Sequence, residues 1–288
     1  MQGQADRPEA IMLTVEITSA LLGSLVGVIL GLTGAGGAII AVPLLIFGLH
    51  LTVVEAAPIA LFAVGASAAI GATIAWKKRK LRYRAAALIA FTGALASPIG
   101  IFIARETPDA PLLLLFAVVL FYVAFQMFRK SMRSSGEATV EEHALVPCQL
   151  DEIAGRLVWT NRCARSLALS GITTGFLSGL LGVGGGFVIV PALQKASNLP
   201  MQHIVPTSLA VIALVSAAGV AVSAAVGGLN WPIALPFAAG AVTAMLGAGR
   251  LAGRFTGRGL QKGFAILAVA VAMSMGVKAI VVITGISG

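Results

Sequence analysis

No aspartate, glutamate, lysine or arginine lies near the middle of any long apolar run in this sequence. That absence removes several functions at once. Without buried carboxylates there is no oxygen cage for a hard metal cation and no acid pair to relay protons through the apolar part of the chain. The three histidines, His50, His143 and His203, all fall outside the runs and show no nucleophile–base or metal-ligand spacing. The chain therefore does not read as an enzyme, and nothing in it asks for a cofactor or a metal. The two cysteines, Cys148 and Cys163, are too few beside His143 for a structural zinc site and are expected as unpaired, reduced thiols. No P-loop Lys-Ser/Thr follows any glycine cluster, so nucleotide binding is not expected.

Charge as a whole is scarce, at 11% of residues against 58% hydrophobic. That is about half the usual charged share, and a water-soluble domain cannot hide so much apolar side chain. Apolar runs fall at 11–32, 57–76, 85–104, 111–128, 166–182, 206–226, 231–249 and 263–284, with two shorter ones at 36–48 and 184–196. A helix of roughly 20 residues crosses a hydrocarbon layer of about 30 Å, so the fold expected is an all-α, polytopic membrane protein embedded in a lipid bilayer. The first ten residues, MQGQADRPEA, lack the basic flank of a cleaved signal, and the first run is expected to stay as a helix. A net charge of +9 points to loops on the cytoplasmic side of a membrane rather than to nucleic acid.

The chain is written twice. Gly27, Gly31, Pro43, Pro58 and Gly71 recur 148 positions later as Gly175, Gly179, Pro191, Pro206 and Gly219. The expected organisation is a first transmembrane repeat at 11–128, a cytoplasmic linker at 129–165 and a second repeat at 166–284. Loop charges swap between copies: KKRKLRYR (Lys77–Arg84) follows the third segment of the first copy, whereas the matching AVGGLNW is uncharged and RLAGRFTGRGLQK (Arg250–Lys262) carries the charge one link later. Two inverted-topology repeats result, each with a glycine-broken helix, crossing or re-entrant, and three further transmembrane helices. Putting the basic loops inside collects seventeen of the twenty Lys and Arg in the cytoplasm, leaves Arg7, Arg105 and Lys278 outside, and sends both termini to the extracytoplasmic side of the inner membrane.

The glycine clusters, GLTGAGGAIIAVP from Gly31 and GLLGVGGGFVIVP from Gly179, precede apolar stretches of about 13 residues, too short to cross alone. Irregular backbone at membrane depth is tolerated where it is buried in protein or lines a cavity. The N–H groups that begin a half-helix favour an anion, and glycine lets it come close. Close helix packing by small residues is the competing role for the same glycines. The residues expected to bind substrate are Thr33, Gly34, Gly36 and Gly37 in the first copy, and Ser178, Gly182, Gly184, Gly185, Gln194, Thr207 and Ser208 in the second.

The doubled G-x-x-G-x-G-G motif, each copy running into an apolar stretch that ends at proline, resembles the sulfite exporter TauE/SafE family. GFLSGLLGVGGGFVIVPAL followed by PTSL is close to the family pattern; the first copy is looser, with Ala38 for a third glycine and PIAL for PTSL. The resemblance implies a transporter of small sulfur-containing anions such as sulfite, sulfoacetate or related sulfonates. An anion channel of the same architecture and a transporter of a non-sulfur anion are the alternatives. Substrate, direction, oligomeric state and coupling ion, H⁺ or Na⁺, stay open at this point.

Overall fold

The computed structural model describes residues 6–33, 37–78, 81–133, 148, 150–151, 156–157, 160–197, 201–255 and 258–284. In chain order the helices are α1 (Asp6–Thr33), α2 (Gly37–Gly48), α3 (Val53–Lys77), α4 (Tyr83–Glu106), α5 (Asp109–Arg133), α6 (Asn161–Leu181), α7 (Gly186–Ala196), α8 (Met201–Ala225), α9 (Trp231–Phe255) and α10 (Arg258–Thr284). Between α5 and α6 a small ladder pairs β1 (Leu150–Asp151) antiparallel with β2 (Arg156–Leu157). Five segments are long and apolar enough to cross a membrane: Leu13–Thr33, Val53–Lys77, Tyr83–Glu106, Gln202–Ala225 and Trp231–Gly249. Large apolar side chains on their outer faces, Phe91, Leu95, Ile99 and Phe102 on α4 among them, are exposed, as lipid-facing positions must be.

Local signals set the helix ends. Thr52 and Glu55 form a reciprocal capping box at the start of α3, which satisfies two otherwise unpaired N–H groups. Thr160 caps α6 by accepting from the Cys163 N–H at 3.1 Å, and Gly182, left-handed at φ 71°, ends it. His203 lies in the first turn of α8 and is half-buried.

Two glycine ladders hold the bundle together. Gly171, Gly175 and Gly179 stand one turn apart on α6 and meet the backbone of Ile89, Gly93 and Ser97 on α4; Gly23 and Gly27 on α1 meet Phe237 and Ala241 on α9 in the same parallel manner, and Gly31 continues that ladder against Met245. No side chain fits between backbones this close, and such contact is how helices associate where lipid supplies no hydrophobic drive between them. In the centre α3 and α8 run antiparallel, Gly65 against Ser216 and Gly71 against Leu209, while α5 packs on α10.

Each short helix folds back along its predecessor. Gly37 lies against Leu30 and Val26, and Gly48 against Leu22, so α2 retraces α1. Gly185 lies against Thr174 on α6. At the other end of this second hairpin the Cys148 N–H donates to the Ala196 carbonyl at 2.9 Å.

The expectation of reduced thiols is overturned: Cys148 and Cys163 form a disulfide. The linker strand beside α7 and the first turn of α6 bring the two residues together, a tertiary meeting that spacing alone does not encode. Both are fully buried, which keeps the bond away from soluble reductants. The bond closes a loop of 15 residues, and its loss should cost about 3 kcal/mol. Thermal unfolding of Cys163→Ser beside the parent checks this; an unchanged midpoint would mean that the linker contributes no restraint.

Candidate functional site at the second helix break

Three left-handed glycines within four residues build the site. Gly182, Gly184 and Gly185 all have positive φ (71°, 64° and 68°), the left-handed region in which a side chain is strained. The chain leaves α6 through Gly182, whose N–H still donates to the Ser178 carbonyl at 2.9 Å, and enters α7 through Gly185, whose carbonyl accepts from both Val188 and Ile189. The first-turn N–H groups of Gly186 and Phe187 have no carbonyl four residues back within α7, as at any helix start.

Around this turn stand hydroxyls with nothing to bond. The Oγ atoms of Ser67, Ser97, Ser178 and Ser216 and the Oγ1 of Thr174 are buried and have no hydrogen-bond partner. Three belong to the break itself. Thr174 meets Gly185 through its methyl and its carbonyl, and a Cβ on Gly184 would sit 3.1 Å from the Ser216 Oγ, beside Ile212 and Val64. Ser178 lies one turn after Thr174 on the same face of α6. Ser97 on α4 is 3.3 Å from where a Cβ on Gly219 would be, one turn along α8 from Ser216. Ser67 follows Val64 by one turn of α3. An unsatisfied buried hydroxyl costs roughly 1–3 kcal/mol, so five are an expense for which a bound acceptor would compensate.

The residues singled out from sequence divide between this place and others. Ser178, Gly182, Gly184 and Gly185 are here. Thr207 and Ser208 are not: they lie about 13 Å along α8 from Ser216 at 1.5 Å per residue, and their hydroxyls donate to the His203 carbonyl at 2.6 Å and the Val205 carbonyl at 2.8 Å. Thr207 Oγ1 also accepts from the Arg82 N–H at 3.3 Å, which ties α8 to the α3–α4 link. Gln194 is half-buried in the last turn of α7, far from the break. In the first copy, Thr33 donates to the Ile29 carbonyl at 2.7 Å, Gly37 begins α2, and Gly34 and Gly36 lie outside the described residues. Thr174, Ser97 and Ser216 emerge from three dimensions and carry in the sequence only the faint signal of a hydroxyl in mid-run.

Among the described residues, the nearest neighbours of the three break glycines are Ala57, Val64, Thr174, Ile212 and Ser216, none of them charged. Lys278 lies with its Nζ 5.2 Å from the Phe47 ring centre, and the Glu55 carboxylate is held by Thr52 at the start of α3. The site is thus neutral, rich in donors and enclosed by apolar side chains.

The profile of the sulfite exporter TauE/SafE family matches residues 19–275. The chain belongs to that family. A "Probable membrane transporter protein" of Xylella fastidiosa (strain 9a5c) is 32% identical over 259 residues, covering 87% of this chain and 91% of the relative. "Probable membrane transporter protein YunE" of Bacillus subtilis (strain 168) is 25% identical over 228 residues, 77% of this chain and 82% of the relative. No solved structure matches significantly. As a TauE/SafE member with five segments able to cross a membrane, the chain is a multi-pass membrane transporter protein, and the glycine break lies within the matched residues.

Proposed function

We propose that this protein is a secondary transporter of small sulfur-containing anions, sulfite, sulfoacetate or a related organosulfonate, across the cytoplasmic membrane. The anion is held near the midplane by the first-turn N–H groups of α7 and the hydroxyls of Thr174, Ser178 and Ser216. The observation that carries this reading is the set of unpartnered buried hydroxyls around a left-handed glycine turn. Hydrogen bonds to a charged partner are worth about 1.5–3 kcal/mol each, and oxygens arranged around sulfur can accept several at once. The family's description supplies the sulfur; the site supplies the preference for an oxyanion.

Two inverted repeats with re-entrant hairpins α1–α2 and α6–α7 provide the frame for alternating access. Support comes from the pairing of helices, since α1 lies on α9 as α6 lies on α4, and α3 meets α8 across the centre. Both termini then face the extracytoplasmic side, and H⁺ or Na⁺ is the coupling ion. A cysteine at Lys78 should be shielded from an impermeant thiol reagent added outside, and one at Asn230 should react. Reaction of both from one side would rule out the inverted arrangement.

Binding is tested by thermal shift of the purified protein with sulfite, sulfoacetate, methanesulfonate, an aliphatic carboxylate and chloride. A ligand at 100 times its dissociation constant should stabilise the folded state by about 2.7 kcal/mol. Sulfur oxyanions should do so and chloride should not, because a sphere cannot use donors aimed at separate oxygens. Stabilisation by chloride alone would overturn the assignment, and saturable counterflow in vesicles separates a carrier from a channel.

A further inference from the structure

On one side of the hydroxyl cluster is a small cavity, about 20 Å³, bordered by Ala57, Pro58, Leu61, Ile101, Arg105 and Ser223. Among the described residues that line it, Arg105 alone is charged. Three carboxylates share this end of the molecule, one of them, Asp109, with an Oδ1 that is buried and has no hydrogen-bond partner. Glu55 is exposed and bonded to Thr52, Glu106 is exposed at the end of α4, and Asp109 opens α5; none lines the cavity. Arg105 itself is half-buried, with its guanidinium against Gly228 in the α8–α9 link.

The cavity and the hydroxyl cluster are separated by two side chains. Ser97, Ile101 and Arg105 stand one turn apart along α4, and such residues share a face. At Gly219, where a Cβ would be 3.1 Å from Leu61 Cδ1, 3.3 Å from Ser97 Oγ and 3.8 Å from Ile101 Cδ1, the three side chains converge. Leu61 and Ile101 therefore belong both to the cavity wall and to the surroundings of Ser97, whose hydroxyl is buried and unpartnered. The order along this face is cation, apolar pair, orphan hydroxyl.

We infer that this cavity is the vestibule through which a small oxyanion reaches the hydroxyl cluster, with Arg105 as its charge-selecting residue and Leu61 and Ile101 as the constriction. The inference rests on the reading of that cluster as an anion site. A guanidinium at a mouth with low-dielectric walls concentrates anions and excludes cations, and its planar fork suits oxygen pairs on sulfur or carbon. Space of about 20 Å³ holds roughly one water, and an apolar constriction of this kind bars ions until its walls part.

The test uses Ser223→Cys, buried except toward the cavity, in the full chain, whose own cysteines are paired. Small methanethiosulfonates of negative and of positive charge are compared by rate. The anionic reagent should react about tenfold faster, Arg105→Gln should abolish the preference and Arg105→Lys should retain it. Ala104→Cys, on the same cavity, serves if Ser223→Cys does not fold. Equal rates for both reagents, no reaction at either position, or a preference untouched by Arg105→Gln would each overturn the vestibule. Charge-selective labelling together with no binding of any sulfur anion would leave the vestibule standing and remove the proposed substrate; the opposite pair of results would do the reverse.

Discussion

Gly175→Ala should destabilise the protein more than any other single methyl group added to its helices. A Cβ there runs into the carbonyl, carbonyl carbon and Cα of Gly93, all backbone, so no side chain can turn aside. The two helices must separate along the ladder that joins α6 to α4, and the expected cost is about 3 kcal/mol or more, at the upper end of overpacking effects. Gly247→Ala on α9 is the matched control. No heavy atom lies within 4 Å of its added methyl, and alanine in a helix interior is favoured over glycine by up to about 1 kcal/mol. Thermal unfolding in detergent should move down for the first and up, or not at all, for the second. Equal midpoints would mean that the ladder is not what holds these helices.

Gly184→Ala should have the opposite profile, a large loss of ligand affinity with a tolerable loss of stability. Of the three left-handed glycines at the break it is the one where a methyl meets no atom closer than 3.1 Å. At Gly182 the added atom meets the backbone of Ala57, and at Gly185 it meets Thr174, whereas at Gly184 its neighbours are the Ser216 hydroxyl at 3.1 Å, Ile212 at 3.3 Å and Val64 at 3.4 Å. Alanine at positive φ costs roughly 1–2 kcal/mol. The methyl also occupies the space in front of Ser216, where an anion oxygen would be received. Affinity should fall by at least about tenfold, or 1.4 kcal/mol, as read by titrating the folded fraction. Valine at the same position should remove binding altogether. An alanine variant that binds as tightly as the parent would place the ligand elsewhere.

The difference between these two glycines marks where the sequence stops being informative. Hydropathy alone marks the apolar segments, and the stretches 36–48 and 184–196 match α2 (Gly37–Gly48) and α7 (Gly186–Ala196) to within two residues. That agreement is expected, because span length and glycine clusters are local properties. Within the motif, however, Gly179 and Gly184 look alike on paper. One is a close-packing residue against Ser97 and the other a left-handed turn, and only the neighbouring chain and the φ angle separate them.

The hydroxyls tell the same story from the other side. Thr207 and Ser208 are an adjacent hydroxyl pair after a proline, and both donate to carbonyls of their own helix, as such residues commonly do. Ser216 and Thr174 lacked any local mark. What distinguishes them is that the α6–α7 turn brings Gly184 beside Ser216 of α8 and folds Gly185 back beside Thr174 of α6, a tertiary fact. The disulfide was hidden for a similar reason, since Cys148 reaches Cys163 by pairing beside Ala196 and Ser197 at the end of α7.

One titration bears most directly on the claim that an anion is held by the hydroxyls of the second break. Sulfite and methanesulfonate would be titrated into the folded parent and into Thr174→Val/Ser216→Ala, with unfolding midpoints recorded for both proteins. Removing hydroxyls that bond to nothing in the empty protein should leave the midpoint unchanged or raise it, because a buried unsatisfied group is lost. Removing two donors to a charged ligand should cost about 3–6 kcal/mol of binding, a loss of more than a hundredfold. Lost affinity at undiminished stability is the result this account predicts. A double variant that binds either anion as tightly as the parent would contradict it.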